Sequence, residues 1–304
     1  MTNYTKYLTK TGKLRLNFIG LGKMGNTICN NLLDNIDYSL LGYDPYTTQD
    51  VKIETTTNLL DFTKEPSIIF SSLPNDTIVE NIFINDSLAG NKASPLASLL
   101  KPNSIHISLS TISPKLAKSL SKIHEEYSSH FISAPIFARP DGLAKKEAYI
   151  PITGDITIVS LIKPILEKTS TKVIYFGKEA EKANIVKLCG NFLICSAIES
   201  MSEAFNLAES YDIDRTEIHK MLSESIFDCL IYKGYGHRVS NHDHKPYENA
   251  HFALDLGHKD MILTKDAAKD ANIKMPVLDI LDEKFKKAKK KNFNKLDWSA
   301  ISLI

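Results

Sequence analysis

No two of this chain's four cysteines, Cys29, Cys189, Cys195 and Cys229, have the Cys-x-x-Cys spacing of a zinc or redox site. The first three fall in apolar helical patterns, so the set is expected to consist of reduced, buried thiols of a cytoplasmic protein, with no disulfide or zinc framework. A dominant charge is missing as well. With a net charge of +1 and 43% hydrophobic residues, the chain has the balance of a globular protein without a global attraction to nucleic acid or membrane. Met1 to Lys13 is polar and lacks the apolar core of a signal peptide, and no uninterrupted apolar run reaches membrane-spanning length. The sequence holds no Gly-x-Ser-x-Gly elbow, Walker loop or His-Glu-x-x-His, which leaves hydrolase and nucleoside-triphosphate readings without support. Internal repeats and low-complexity segments are absent too.

What is present is a glycine turn in the right setting. Gly20-Leu21-Gly22-Lys23-Met24-Gly25 follows an apolar run, Leu14 to Ile19, and opens an amphipathic one, Met24 to Leu33. Strand, turn and helix in that order aim the helix's first N–H groups and its positive dipole end at a pyrophosphate. Gly20 permits the tight turn, Gly22 lets backbone approach the phosphates, and Gly25 lets helix and strand pack. A second apolar run, Tyr38 to Tyr43, ends in Asp44, 24 positions beyond Gly20. An acid there accepts hydrogen bonds from the adenosine ribose and repels a 2′-phosphate, so NAD is expected over NADP. Asp44-Pro45 is also a plain turn starter. No basic residue lies between Pro45 and Asp50 to clamp a phosphate.

Up to residue 177, short β-branched runs alternate with helical patterns, with strands expected at Arg15–Ile19, Ser39–Tyr43, Ser67–Ser71, Ser104–Ser108, Phe131–Ala134, Tyr149–Thr153 and Lys172–Phe176. A helix over Ser113–Ser128 begins with Ser-Pro. The alternation predicts an α/β fold: a polar tail over 1–13, then a Rossmann-type doubly wound, mostly parallel sheet over 14–177. After Gly177 no strand pattern remains, which predicts an all-α domain over 178–304. It would start with an interdomain helix over Glu179 to Ser210, up to about 48 Å long. That helix is apolar nearly all round, so burial on several sides is expected. Further helices fit Arg215–Ser223, His251–Ala271 and Val277–Lys290.

Lys187 and Asn191 stand one turn apart on this helix and project the same way. Buried without partners they would be costly, which suits a ligand cleft. A solvated helix edge with a snorkelling lysine accounts for them too.

At this point the chain resembles a family. The glycine turn, Ser72-Leu73-Pro74-Asn75, Leu109-Ser110-Thr111-Ile112-Ser113-Pro114, Ala134-Pro135, Lys187 with Asn191, and Lys259-Asp260 occur in the order of the beta-hydroxyacid dehydrogenases. These include 3-hydroxyisobutyrate dehydrogenase, tartronate semialdehyde reductase and, more distantly, 6-phosphogluconate dehydrogenase. The resemblance spans Leu14 to the Asp297-Trp298-Ser299-Ala300 tail. It implies that Lys187 is the catalytic acid/base and that Asn191 orients the substrate. Leu73, Pro74 and Thr111 would line the dinucleotide groove, Phe252 and Lys259 would close over it, and Asp260 would position its own segment. The chemistry implied is hydride transfer between a nicotinamide and a small beta-hydroxy acid or its semialdehyde, with no metal.

The departures bear on substrate. Where the family reads Asp-Ala-Pro-Val-Ser-Gly-Gly, this chain has Ser133-Ala134-Pro135-Ile136-Phe137-Ala138-Arg139. Phe137, Ala138 and Arg139 thus replace a small carboxylate cradle; Arg139 would either grip a carboxylate as a fork or make a surface pair. Glu181 and Ala183 stand where the family has glycines before the lysine. This loop also resembles imine reductases, which reduce C=N on the same scaffold. A non-catalytic dinucleotide-binding scaffold is the third reading.

His237, His242, Asp243 and His244 are expected in a solvated loop and not at a metal, with Tyr232, Tyr235 and His237 available for a lid or for a partner-chain contribution to the substrate cleft. The lysine-rich run Lys284 to Lys291 is expected to be a solvated helix face and not a nucleic-acid surface. The apolar helical half predicts a homodimer or higher homo-oligomer.

Overall fold

The computed structural model describes residues 4–46, 50–85, 94–246 and 250–304, so the first three residues of the polar tail lie outside it. The chain divides into two compact units, Met1–Lys187 and Leu188–Ile304. That division falls inside one long helix, ten residues beyond the junction read from the sequence.

The first unit holds strands β1 (Leu14–Ile19), β2 (Tyr38–Tyr43), β3 (Glu54–Thr55), β4 (Ile68–Ser71), β5 (Ile105–Ser108), β6 (His130–Ser133), β7 (Tyr149–Ile152) and β8 (Lys172–Tyr175). The first six form one sheet in the order β3-β2-β1-β4-β5-β6, parallel at every pairing. The order reverses at β1, the switch point at which doubly wound sheets bind dinucleotides. Register aligns the strand ends: Ile19 pairs with Tyr43 and Ser71, Ser71 with Ser108, and Ser108 with Ser133. The loops carrying the sequence motifs therefore all leave from one edge.

Helices α1 (Lys23–Leu33), α2 (Asp76–Phe83), α3 (Leu96–Leu99), α4 (Pro114–Glu126), α5 (Pro140–Ala144) and α6 (Ile156–Leu166) join these strands. Central strands are buried on both faces, which is why they read as continuous apolar runs. Phe18, Ile68, Phe70, Ile105 and Ile107 face one layer with Ile28 and Val159; Ile19 and Ile69 face the other with Phe83, Leu116 and Leu120. The Ser113 hydroxyl accepts the Leu116 N–H at 3.0 Å and Pro114 occupies the first turn, so α4 starts where its sequence says.

Two features differ from expectation. β7 and β8 form a separate two-stranded parallel sheet, touching β6 through an antiparallel bridge between Ser133 and Thr153. β3 escaped the reading because its two residues, Glu54 and Thr55, are exposed and carry no apolar pattern.

Helix α7 (Glu181–Glu209) runs from the first unit into the second, which adds α8 (Arg215–Ser223), α9 (Leu230–Ser240), α10 (Leu254–Asp270) and α11 (Pro276–Lys290). The second unit's core gathers Cys195, Ile198, Met201 and Phe205 of α7 with Tyr235, Val239, Leu254, Met261, Leu281 and Phe285 around Trp298. By length and composition α7 matches a membrane span, yet these side chains are core. Burial all round is not met: Leu193 and Leu207 are 66% and 64% exposed. Nor are all four thiols buried, since Cys189 and Cys229 are exposed.

Candidate active site

The glycine turn has the stereochemistry a phosphate cradle needs. Gly20 sits at φ +90°, where a side chain is strained, and a Cβ on it would lie 2.2 Å from the Ser72 carbonyl oxygen. A Cβ on Gly25 would lie 2.0 Å from the Gly20 carbonyl oxygen, so helix and turn touch backbone to backbone. At Gly22 nothing stands within 4 Å of that position, which leaves open space over the turn. Gly22 is also the N-cap of α1, offers no capping side chain, and the first helical turn holds no carboxylate. These features fit a bound pyrophosphate. Lys23 is exposed at the turn, whereas Met24 packs against the core. Gly25→Ala is expected to cost about 1–3 kcal/mol of stability and to weaken NADH binding about tenfold or more. Wild-type affinity in a fluorescence titration of that variant would show that the turn is not the cradle.

Asp44, at the tip of β2, is tied to this turn. Its Oδ2 accepts the Leu21 N–H at 2.7 Å and its Oδ1 accepts the Tyr46 N–H at 2.8 Å. Each carboxylate oxygen keeps a second lone pair for a ribose hydroxyl. On the next loop the Leu73 N–H donates to the Ser110 hydroxyl at 2.7 Å, with Leu73 half-buried and Pro74 exposed. Thr111 is half-buried beside Ile112, whose N–H donates to Asn184 Oδ1 at 3.1 Å.

Lys187 closes the first unit, and its Nζ lies 4.8 Å from the centre of the Phe137 ring. Phe137 is held by an antiparallel bridge, its N–H donating to the Tyr149 carbonyl at 2.9 Å and its carbonyl accepting the Tyr149 N–H at 3.2 Å. Ala138 packs on the core. Arg139 makes the pair that was one of its two options: Nη2 is 3.0 Å from Asp141 Oδ2, with the side chain only 18% exposed.

In the second unit the Asn191 amide donates from Nδ2 to Asp260 Oδ2 at 2.5 Å. Asp260 is fully buried, and its Oδ1 is 3.0 Å from Lys259 Nζ. The buried Asp260 carboxylate thus holds the Asn191 amide, which belongs to another helix and not to its own segment. Phe252 packs edge-on against Trp298, with centroids 5.1 Å apart. Asp297 anchors that segment by accepting the His251 and Phe252 N–H groups.

The sequence comparisons agree with this geometry. Residues 15–177 match the family described as the NAD binding domain of 6-phosphogluconate dehydrogenase. Residues 182–303 match that described as NAD-binding of NADP-dependent 3-hydroxyisobutyrate dehydrogenase. An uncharacterized oxidoreductase of Bacillus subtilis, YfjR, is 30% identical over 95% of this chain and 98% of its own. The chain belongs to the beta-hydroxyacid dehydrogenase superfamily.

It is accordingly an oxidoreductase that binds a nicotinamide dinucleotide, and the scaffold reading falls away. The fold is shared with 3-hydroxyisobutyrate dehydrogenase from Salmonella typhimurium, at a TM-score of 0.80, 20% identity, and coverage of 95% of this chain and 99% of that one. An imine reductase from Bacillus cereus matches at a TM-score of 0.60 and 17% identity, over 94% of this chain and 97% of its own.

One buried polar residue that ties the motif loops together escaped the sequence reading. Asn184 is fully buried and joins two of the motif loops, accepting from Ile112 and donating from Nδ2 to the Ser133 hydroxyl at 2.8 Å. Its signal was there: with Lys187 and Asn191 it completes a polar stripe on an apolar helix. The segment expected as a solvated loop is largely ordered. His237 lies in α9, Tyr235 is buried against Trp298, and His244 is buried with Nδ1 2.9 Å from the Ser299 hydroxyl. Burial holds the His244 imidazole down at about 4, against the pull of Asp297. No metal-binding cluster of His, Cys, Asp or Glu occurs among the described residues. The lysine-rich face is not wholly solvated either, because Lys284 reaches the buried Glu199 at 2.5 Å.

Proposed function

We propose that this oxidoreductase interconverts a small beta-hydroxy acid and its semialdehyde, with NAD preferred over NADP. The observation that carries the reading is the α7 stripe. Lys187 and Asn191 project from one helix one turn apart, and the Asn191 amide is fixed by a buried carboxylate. When bound, the dinucleotide supplies or accepts the hydride. Lys187 Nζ donates a proton to the carbonyl oxygen during reduction and removes it from the hydroxyl during oxidation. Asn191, its amide nitrogen directed at Asp260, orients the substrate.

The cofactor preference rests on Asp44, whose carboxylate stands beside the glycine turn with no basic residue between Pro45 and Asp50. Parallel fluorescence titrations should show NADH binding about tenfold or more tighter than NADPH, with Asp44→Ser narrowing the gap. Equal affinities would remove Asp44 as the discriminator.

Imine reduction is the second reading, favoured by the bulk of Phe137 at the lysine and by the engagement of Arg139 with Asp141. A screen of 3-hydroxyisobutyrate and related hydroxy acids against cyclic imines separates the two, and turnover of imines alone would defeat the first. Assembly as a homodimer is supported by the apolar side chains α7 leaves exposed, Leu193 and Leu207. Light scattering of a monomer at micromolar concentration would contradict it.

A further inference from the structure

Asn184 is fully buried on the first turn of α7. An amide in such a place is costly unless both of its ends find partners, and here both do. The Ile112 N–H donates to its Oδ1 at 3.1 Å, and its Nδ2 donates to the Ser133 hydroxyl at 2.8 Å. These partners come from different strands, Ile112 from the loop after β5 and Ser133 from the end of β6.

Neither partner is loose. The Leu73 N–H donates to the Ser110 hydroxyl at 2.7 Å and the Ser113 N–H donates to the Asp76 carboxylate at 3.0 Å, so the loops after β4 and β5 hold each other. Ser133 exchanges two backbone hydrogen bonds with Thr153, whose hydroxyl donates to the Ala180 carbonyl at 3.0 Å, one residue ahead of α7. Asn184 thus ties the entry of α7 to the strand edge at which doubly wound sheets bind dinucleotides. Lys187 follows three residues later, on the same face of the helix. The face pinned to the loops is the face that carries the amine.

We propose that Asn184 is a positioning residue of Lys187: it seats the lysine-bearing face of α7 on the loops after β5 and β6, so that dinucleotide binding at this edge also steadies the helix turn that leads to the amine. The meaning for catalysis rests on the acid/base role proposed for Lys187, whereas the test rests on dinucleotide binding alone.

The experiment is hydrogen exchange of the full-length protein with and without saturating NADH, read by mass spectrometry on peptides covering residues 179–187 and, for reference, the glycine turn. In the wild type NADH is expected to slow exchange in the α7 peptides by about two- to tenfold, the worth of one hydrogen bond retained. Asn184→Ala should keep the slowing at the glycine turn and lose it in α7. Asn184→Asp, which keeps an oxygen for the Ile112 N–H and can accept the Ser133 hydroxyl proton, should retain it. Loss of a merely structural amide would speed exchange with and without NADH alike and leave their ratio as in the wild type. Slowing in α7 that survives in Asn184→Ala, or that is missing from the wild type or from Asn184→Asp, overturns the proposal. If Asn184→Ala fails to bind NADH, Ser133→Ala, which removes one of the two bonds, takes its place with the same expected loss. Undiminished turnover in Lys187→Ala would instead remove the catalytic reading and leave the coupling to the exchange result.

Discussion

Lys187→Ala is expected to lower turnover by about 10²- to 10⁴-fold, the usual worth of a positioned general acid, while NADH binding stays at the wild-type level. The two halves of this expectation come from different parts of the chain. Lys187 projects from α7 and meets Phe137, whereas the proposed phosphate cradle is the turn of Gly20, Gly22 and Gly25 with the start of α1. Removing the amine thus takes away the proton and leaves the dinucleotide its seat. A loss of that size corresponds to about 3–5 kcal/mol of transition-state stabilisation. Lys187→Arg sharpens the test. A guanidinium keeps the positive charge over Phe137 but holds its proton too tightly to transfer it, so its turnover should resemble that of Lys187→Ala. Recovery of most activity in Lys187→Arg would assign the residue an electrostatic role without proton transfer, and undiminished activity in Lys187→Ala would exclude it from the chemistry.

The parts of this site that were legible in the sequence are those set by local covalent geometry. A glycine turn between strand and helix states its own function, because the φ of Gly20 and the missing Cβ of Gly25 are properties of the residues themselves. Central strands were legible to within a residue, as burial on both faces leaves an unbroken apolar run. Helix α9 was missed: Leu230–Ser240 is rich in Tyr, Gly and His and has no apolar stripe at helical spacing, so packing against the Trp298 cluster decides it. Pairings made across the fold were equally silent. Asn191 meets Asp260 69 residues away, and Lys187 meets Phe137 from a different loop. The sequence could nominate such residues by type; only the fold supplies their partners.

Acidification from pH 6.5 to pH 5 is expected to lower the stability of the first unit through two buried imidazoles, His124 alone contributing about 2 kcal/mol. His106 on β5 and His124 on α4 are fully buried and stand in a chain in which each link is a hydrogen bond. The Ser71 hydroxyl is 2.8 Å from His106 Nε2, His106 Nδ1 is 3.0 Å from His124 Nε2, and His124 Nδ1 is 2.8 Å from the Ser129 hydroxyl. Phe83 stacks on the His106 ring at 3.7 Å and Phe131 lies against both. Neutral rings satisfy this chain, since each offers one donor and one acceptor. Burial, reinforced by neighbouring His124, holds His106 well below its ordinary value, and burial with His130 nearby holds His124 at about 3. In the unfolded chain both rings take up a proton near pH 6.5, so the stabilisation is complete above that pH and is lost as pH falls toward about 3. Within that window His124 costs about 1.4 kcal/mol per pH unit, and His106 adds a loss of the same sign. The single tryptophan, Trp298, reports on the other unit. The measurement is therefore hydrogen exchange of peptides from β5 and α4 at pH 7 and pH 5, corrected for the intrinsic rates. The variant His106→Phe with His124→Leu should start less stable at pH 7, because the buried Ser71 hydroxyl loses its partner, and should lose less protection on acidification. An equal loss of protection in wild type and variant would place the acid sensitivity in carboxylates elsewhere in the unit.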